Sequence, residues 1–430
     1  MNVTVSPGGI EGAVRIPGSK SHTIRALLLA ALAEGESTID FPLESEDTFA
    51  CRDLVRALGV PVTEVTNTDG GIDRYVVRGG TLAAPEQEID CRNSGTTVFL
   101  AMGIAALQSF PVRLTGDEQL QRRSAGPLLD ALTELGATVE YHGAEGCVPL
   151  AITGPIRGGE VTIESPISQY LSSLILAAPL TEEGMTINVA LLNEAPYAGI
   201  TLSWVRDRGA VVGQDEWRRF RIPGGQHYHP FHKSIPADFS SATFFMAAAA
   251  ATDSKITLQG LDMNDAQGDK AVLGMLQKLG ATTRVKPDEM SIEVSGGWLS
   301  GGTFDLNATP DALPTLAVLG TMCSEPIHLV NVPQARTKET DRIAAMAGII
   351  NSLGGSAAEL PDGLIVRPGR LAGGTVDSYG DHRIAMAMAV AGLIAKDPIT
   401  ITNAGVAAIT FPGFYKLLAS CGAHVVEEHD

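Results

Sequence analysis

Six segments of the chain are apolar at almost every position: 26–33, 98–107, 170–178, 242–251, 312–322 and 384–395. A helix with no polar stripe has no face to give to water, so each segment is expected to be a helix buried all round. Segments of a second kind, such as 47–58 and 269–279, set apolar residues three or four positions apart with charges between them. That spacing predicts amphipathic helices lying nearer the surface. Short alternating stretches between the two kinds predict strands.

The pattern recurs. A helix closes at Leu58-Gly59-Val60, Leu135-Gly136-Ala137, Arg208-Gly209-Ala210, Leu279-Gly280-Ala281, Leu353-Gly354-Gly355 and Cys421-Gly422-Ala423, with the central glycines 68 to 77 residues apart. Glycine suits the left-handed position that ends a helix. A Gly-Gly pair is expected to open the next strand at 79–80, 158–159, 224–225, 301–302 and 373–374. The period predicts six β-α-β-α-β-β units. Because 430 residues exceed one ordinary core, the units are expected to fall three to each of two domains, helices inside and sheets outside.

Each apolar helix follows a polar loop, and the loops carry the candidate chemistry. Between Arg15 and Arg25, Pro17-Gly18 ends the strand 13–16, Ser19 or Ser21 can cap the helix, and Lys20 and Arg25 flank its N-terminus. Unsatisfied N–H groups between two cations make an anion site. Corresponding loops hold Asn93-Ser94-Gly95-Thr96, Ser168-Gln169, Asp311 and Asp381-His382-Arg383, while Arg122, Arg123, Arg336, Lys338, Glu339, Asp341 and Arg342 precede amphipathic helices. Singly these residues read as helix caps, a solvated i, i+3 pair (Glu339 and Arg342) and a structural histidine (His382). Together they place several cations and carboxylates in equivalent loops of a repeat, which suits small, multiply anionic substrates. Arginine grips carboxylates bidentately, lysine offers phosphate a point charge, and a carboxylate beside them can move a proton.

Composition narrows the field. The formal charge is −18, which argues against nucleic acid and anionic membrane as partners, so an anionic ligand needs a local basic pocket. Five dispersed cysteines without a CxxC pair suit a reduced protein rather than a disulfide framework or a zinc site. The first five residues read as a strand, not a signal peptide, and no apolar run is long enough to span a bilayer. A cytoplasmic enzyme is expected.

The motifs Gly18-Ser19-Lys20-Ser21-His22-Thr23-Ile24-Arg25, Asn93-Ser94-Gly95-Thr96, Ser168-Gln169-Tyr170-Leu171, Lys338-Glu339-Thr340-Asp341-Arg342 and Asp381-His382-Arg383 together resemble the 5-enolpyruvylshikimate-3-phosphate synthase family, end to end and in order. The resemblance implies the two-domain inside-out α/β barrel of enolpyruvyl transferases, with one domain over 20–236, the other over 1–19 and 237–430, and a substrate cleft between them. It implies no metal and no organic cofactor, and a monomer is expected. The implied reaction transfers the carboxyvinyl group of phosphoenolpyruvate to the 5-hydroxyl of shikimate 3-phosphate. The reactive cysteine of the sister family that acts on a UDP-sugar has no counterpart in 115–126.

The resemblance also implies roles. Lys20 bridges the target hydroxyl and the phosphoenolpyruvate phosphate, and Ser21 and Arg25 hold the ring carboxylate. Gly95 lines the phosphoenolpyruvate pocket, Arg123 and Gln169 take its phosphate, and Arg342 and Arg383 clamp its carboxylate. Asp311 is the base on the attacking hydroxyl and Glu339 the acid at the methylene carbon. Ser168, Tyr197 and Lys338 surround the ring and its 3-substituent. The chain departs from the family at Ile167 and Glu194, where phosphate-binding serines are expected, at Val98-Phe99, where an arginine is expected, at Arg92, where glycine is usual, and at Ile409. These changes fall on the 3-phosphate pocket. They leave open a relative acting on an unphosphorylated ring acid, by transfer or by dehydration, unless Lys338, Arg336 or Arg92 compensates.

Overall fold

A computed structural model of the chain describes residues 1–252 and 254–428. It divides into two compact units, Gly18–Ile235 and Met1–Pro17 with the described residues from Pro236 onward. The first holds α1 (Lys20–Leu32), α2 (Glu46–Ala57), α3 (Gly95–Ala105), α4 (Gly126–Glu134), α5 (Ser168–Ala177) and α6 (Ala195–Asp207). The second holds α7 (Phe239–Ala251), α8 (Ala271–Leu279), α9 (Leu313–Gly320), α10 (Arg342–Ser352), α11 (His382–Ile394) and α12 (Phe414–Ser420). The all-apolar helices are the buried ones: α1, α3 and α5 in one unit, α7, α9 and α11 in the other. In the second unit α7, α9 and α11 pack on one another, and α11 buries all 13 of its residues. No helix of the described residues is long and apolar enough to cross a membrane.

Among the described residues, six four-stranded sheets follow one plan, three in each unit. Ile89–Asp90 runs parallel to Val112–Thr115, which pairs antiparallel with Leu150–Thr153, and Thr138–Tyr141 closes the far edge. Two sheets draw their first strand from a distant part of the chain. Glu11–Arg15 pairs parallel with Lys255–Gln259, and His232–Ser234 with Gly35–Asp40. The strand before α1 therefore belongs to a different unit from α1 itself, and the same holds before α7. Proline lies beside each changeover, at Pro17 and Pro236, where a residue without N–H cannot extend a ladder.

Five of the six apolar helices begin earlier than their hydrophobic pattern predicts, and α9 begins one residue later, at Leu313 instead of 312. α1 starts at Lys20 instead of 26, α3 at Gly95 instead of 98, α5 at Ser168 instead of 170 and α11 at His382 instead of 384. Polar residues do not interrupt a helix in its first turn, where the N–H groups lack partners in any case. Lys20, Ser21, Gly95, Ser168, Gln169 and Arg383 are thus helical residues, not loop residues. The six helix-ending glycines all have φ between 81° and 113°, as the left-handed position requires. The Gly-Gly expectation holds at 158, 302 and 374, which begin strands, and fails at 79 and 224. Gly79 ends the strand Ile72–Gly79, and a Cβ there would lie 1.9 Å from the Ala30 carbonyl oxygen. Close approach to the end of α1 requires glycine there, not the start of a strand.

Candidate active site

In the Gly18–Ile235 unit, the first two turns of α1 carry the basic residues. Lys20 Nζ lies 2.9 Å from Asp47 Oδ2, in the first turn of α2. Asp47 escaped the sequence reading because an acid opening an amphipathic helix looks like any surface charge. Ser19 occupies the N-cap of α1, but its hydroxyl makes no capping bond, contrary to the expectation for it. Arg25 is 1 % exposed. Its Nε donates to Thr201 Oγ1 at 2.7 Å, Nη1 to the Ser21 carbonyl at 2.9 Å and Nη2 to the Tyr197 carbonyl at 3.1 Å. All three partners are neutral. Burial accordingly pulls the Arg25 pKa down to about 10, with Tyr197 opposing the shift. A buried cation held only by neutral groups is costly unless an anion joins it. Beside it, His22 Nδ1 accepts from Trp204 Nε1 at 2.9 Å.

Further along this unit, Arg123 follows a short 3-10 turn and donates through Nη2 to Asn93 Oδ1 at 2.6 Å. Asn93 is itself oriented by Asp117 Oδ2 and Gln119 Oε1, both at 2.6 Å. Gly95 leaves room for this guanidinium, since a Cβ there would sit 3.0 Å from Arg123 Nη1 and 3.4 Å from the Phe99 ring. Ser168 and Gln169 open α5, and the buried side-chain oxygen of Gln169 has no hydrogen-bond partner among the described residues. Ser168 Oγ donates to Glu194 Oε2 at 3.1 Å. Glu194 is buried, with left-handed backbone (φ 57°), immediately before α6 and Tyr197.

Among the cations expected to compensate for Glu194, Arg92 and Arg336 have other partners. Arg92 pairs with Glu46 at 2.5 Å and Asp53 at 2.8 Å. Arg336 pairs with Asp341 at 2.7 Å and Glu359 at 3.0 Å. Arg122, exposed beside Glu118, is a solvated surface charge.

The other unit gathers its carboxylates around one guanidinium. Arg342 opens α10, is 1 % exposed, and reaches Asp381 Oδ2 through Nε at 2.7 Å, Asp311 Oδ1 through Nη1 at 2.7 Å and Glu339 Oε2 through Nη2 at 2.6 Å. Arg383 Nη2 takes the other Asp311 oxygen at 2.8 Å. Glu339 and Arg342 are therefore not a solvated helix pair. Asp381 caps α11 by accepting from Arg383 N at 2.8 Å, so the cap reading and the charge-network reading both hold for it. Asp311 is no cap: it lies in the 3-10 turn Pro310–Ala312 before α9. Asp341 caps α10, and Lys338 follows the 3-10 turn Pro333–Thr337.

Burial and the opposite charges nearby pull these ionisations in opposite directions. Burial pushes the Asp311 carboxyl up, but Arg383, Arg342 and Lys338 outweigh it and hold the group well below the carboxylate range. Burial, joined by Glu339, leaves Asp381 above its ordinary value despite Arg342. Burial lowers Arg342, yet Asp381, Glu339 and Asp311 raise it well past its ordinary value. Among the described residues, Glu339, Asp381 and His382 also bring ligand atoms within 4.8 Å of one another, as a metal ion would need. Arg342 already bonds both carboxylates, so a cation there would have to displace a guanidinium.

A folded-state pKa below the unfolded one stabilises the fold above the ordinary Asp value, and that contribution is lost as pH falls. Asp311→Asn is expected to lower the melting temperature by a similar amount between about pH 8 and 5, with the gap to wild type closing below about pH 4. Thermal melts across that range check it. A gap that stayed constant down to about pH 2.5 would show that Asp311 is not ion-paired.

The profile of the family described as EPSP synthase (3-phosphoshikimate 1-carboxyvinyltransferase) matches residues 5–418. A 3-phosphoshikimate 1-carboxyvinyltransferase of Acetivibrio thermocellus is 42% identical over 427 residues, covering 99% of both chains. One from Halobacterium salinarum is 40% identical over 432 residues, covering 98% of this chain and 99% of its own. Among solved structures, an EPSP synthase of Acinetobacter baumannii superposes with a TM-score of 0.82 at 27% identity, over 99% of this chain and 100% of that one. The enolpyruvyl transferase NikO of Streptomyces tendae, at 17% identity and a TM-score of 0.78 over 99% of this chain and 98% of that one, shares the fold.

Proposed function

The chain belongs to the EPSP synthase family, and on that premise we propose how its residues transfer the enolpyruvyl group of phosphoenolpyruvate to shikimate 3-phosphate. The arrangement that carries the proposal is the pair of guanidinium groups sharing Asp311: Arg342 on one oxygen at 2.7 Å, Arg383 on the other at 2.8 Å. A carboxylate so held is a poor base, because its proton affinity is far from that of a hydroxyl at neutral pH. When the phosphoenolpyruvate carboxylate takes over the two arginines, Asp311 loses its neighbouring positive charge and its proton affinity rises. The base is thus activated by the substrate it serves.

Glu339 delivers a proton to the methylene carbon, and the adjacent carbon becomes cationic. The acceptor hydroxyl adds there while Asp311 takes its proton. In the second step the new methyl group returns a proton to Glu339 and the C–O bond to phosphate breaks. Lys20 lies against the hydroxyl and the departing phosphate, exchanging Asp47 for the substrate. Arg123 and Gln169 take the same phosphate beside Gly95, where a side chain would crowd Arg123. Ser21 and Arg25 hold the ring carboxylate, which supplies the anion that the neutral surroundings of Arg25 lack. Ser168, Tyr197 and Lys338 surround the 3-substituent. Fixed cations and helix N-termini stabilise the developing charge with little reorganisation. All five cysteines are free and buried, which supports a cytoplasmic setting.

Phosphate release from phosphoenolpyruvate, followed with shikimate 3-phosphate and with shikimate in parallel, tests the reading. Shikimate 3-phosphate is expected to turn over at least about 100-fold more efficiently, the worth of two lost charge-assisted hydrogen bonds. Equal use of shikimate would instead favour the unphosphorylated acceptor. Ile167→Ser with Glu194→Ser frees the Ser168 hydroxyl and removes a buried acid, so calorimetric affinity for shikimate 3-phosphate should rise about tenfold. Unchanged affinity would remove Glu194 from the acceptor site.

A further inference from the structure

The seam between α1 and α6 is polar although it is buried. Tyr197, Thr201 and Trp204 lie one turn apart on a single face of α6, and each meets α1: Tyr197 through its carbonyl, Thr201 through Oγ1 and Trp204 through Nε1. A seam built for stability alone would be apolar, since a buried guanidinium with neutral partners gains little against its lost hydration. Arg25 has five N–H groups. Three of them go to Thr201, Ser21 and Tyr197, which leaves one on each terminal nitrogen. The two terminal nitrogens flank one edge of the planar group, the fork that a carboxylate can accept bidentately.

We propose that Thr201 is a positioning residue for acceptor recognition: its hydroxyl pins Nε of Arg25 and so aims the remaining fork at the acceptor's carboxylate. This rests on the reading that Arg25 takes that carboxylate. Thr201 is fully buried and touches the guanidinium on the side away from the fork, at 2.7 Å. The two carbonyl contacts alone leave the plane of the group free to tilt, because each holds one terminal nitrogen by a single bond. The hydroxyl is the third point that fixes the plane, and its loss should be felt by the acceptor and not by phosphoenolpyruvate.

The test is steady-state kinetics of phosphate release, with thermal melts of every variant. Thr201→Val keeps the shape and removes the hydroxyl, so KM for shikimate 3-phosphate should rise about tenfold, with kcat and the KM for phosphoenolpyruvate within about twofold of wild type. Thr201→Ser restores the hydroxyl and should bring KM back to within about threefold. Should valine prevent folding, Thr201→Ala makes the same comparison without added bulk. Trp204→Phe removes the Trp204–His22 hydrogen bond of the seam and should leave the acceptor KM unchanged. If Arg25→Ala leaves the acceptor KM unchanged, the carboxylate reading itself is wrong. If Arg25→Ala raises it and Thr201→Val does not, only the role of Thr201 falls. A rise in Trp204→Phe matching that in Thr201→Val, or no rescue by serine, also overturns the proposal, because seam packing would then be the cause.

Discussion

Arg342→Ala should leave no measurable turnover and lower the melting temperature by roughly 10 °C. Its side chain is buried and holds Asp381, Glu339 and Asp311 at 2.6 to 2.7 Å. Removing it leaves three carboxylates crowded together, with Arg383 and Lys338 still near Asp311. Breaking a buried pair by deleting one partner costs about 3–5 kcal/mol, and each kcal/mol shifts a domain of about 200 residues by 2–4 °C. Two reasons lead to the expected loss of turnover: half of the proposed clamp for the phosphoenolpyruvate carboxylate is gone, and Asp311 and Glu339 lose the group that fixes their positions. Arg342→Lys should recover part of the stability and little of the activity, because one ammonium cannot replace three differently directed N–H edges. Calorimetry and phosphate release measure the two effects separately. An Arg342→Ala protein melting within about 2 °C of wild type would show that the network contributes no net stability.

Glu339→Gln should reduce turnover by about 100-fold or more while substrate binding changes little. Glutamine preserves the length of the side chain and an oxygen for Arg342 Nη2, but it cannot move a proton to carbon. Exchange of the methylene hydrogens of phosphoenolpyruvate in deuterated water should fall in step with turnover, since both need the same acid. Near-normal turnover in Glu339→Gln would overturn the assignment. The neighbouring carboxylate Asp341 is a poor substitute. One of its oxygens caps α10 at Ile343 N and Ala344 N, and the other pairs with Arg336 at 2.7 Å. Asp381, likewise a helix cap, lies closer to the network.

Much of this architecture is legible in hydrophobic spacing. Six apolar helices, their amphipathic companions and the glycines that end the latter follow from residues close in sequence, because helix burial and left-handed termination are local matters. The family motifs mark Lys20, Arg25, Arg123, Arg342 and Arg383 without reference to contacts. Helix starts were less legible: a polar first turn neither breaks a helix nor continues its apolar pattern, so Lys20 and His382 looked like loop residues.

What required the folded chain was the identity of partners. The strand Glu11–Arg15 and α1 are neighbours in sequence, but the strand pairs with Lys255–Gln259, because strand edges are satisfied by whichever edge the fold brings near. Asp47 for Lys20, Thr201 for Arg25 and Asn93 for Arg123 are pairings across 27, 176 and 30 residues, and no spacing rule reaches them. Arg92 and Arg336 carry charge that composition alone makes available to a phosphate, whereas the tertiary structure commits it to Glu46, Asp53, Asp341 and Glu359. Residue type decides what a side chain can do, and sequence shows that directly. Whether its charge is already neutralised depends on distances of a few ångströms, which only the packed chain sets.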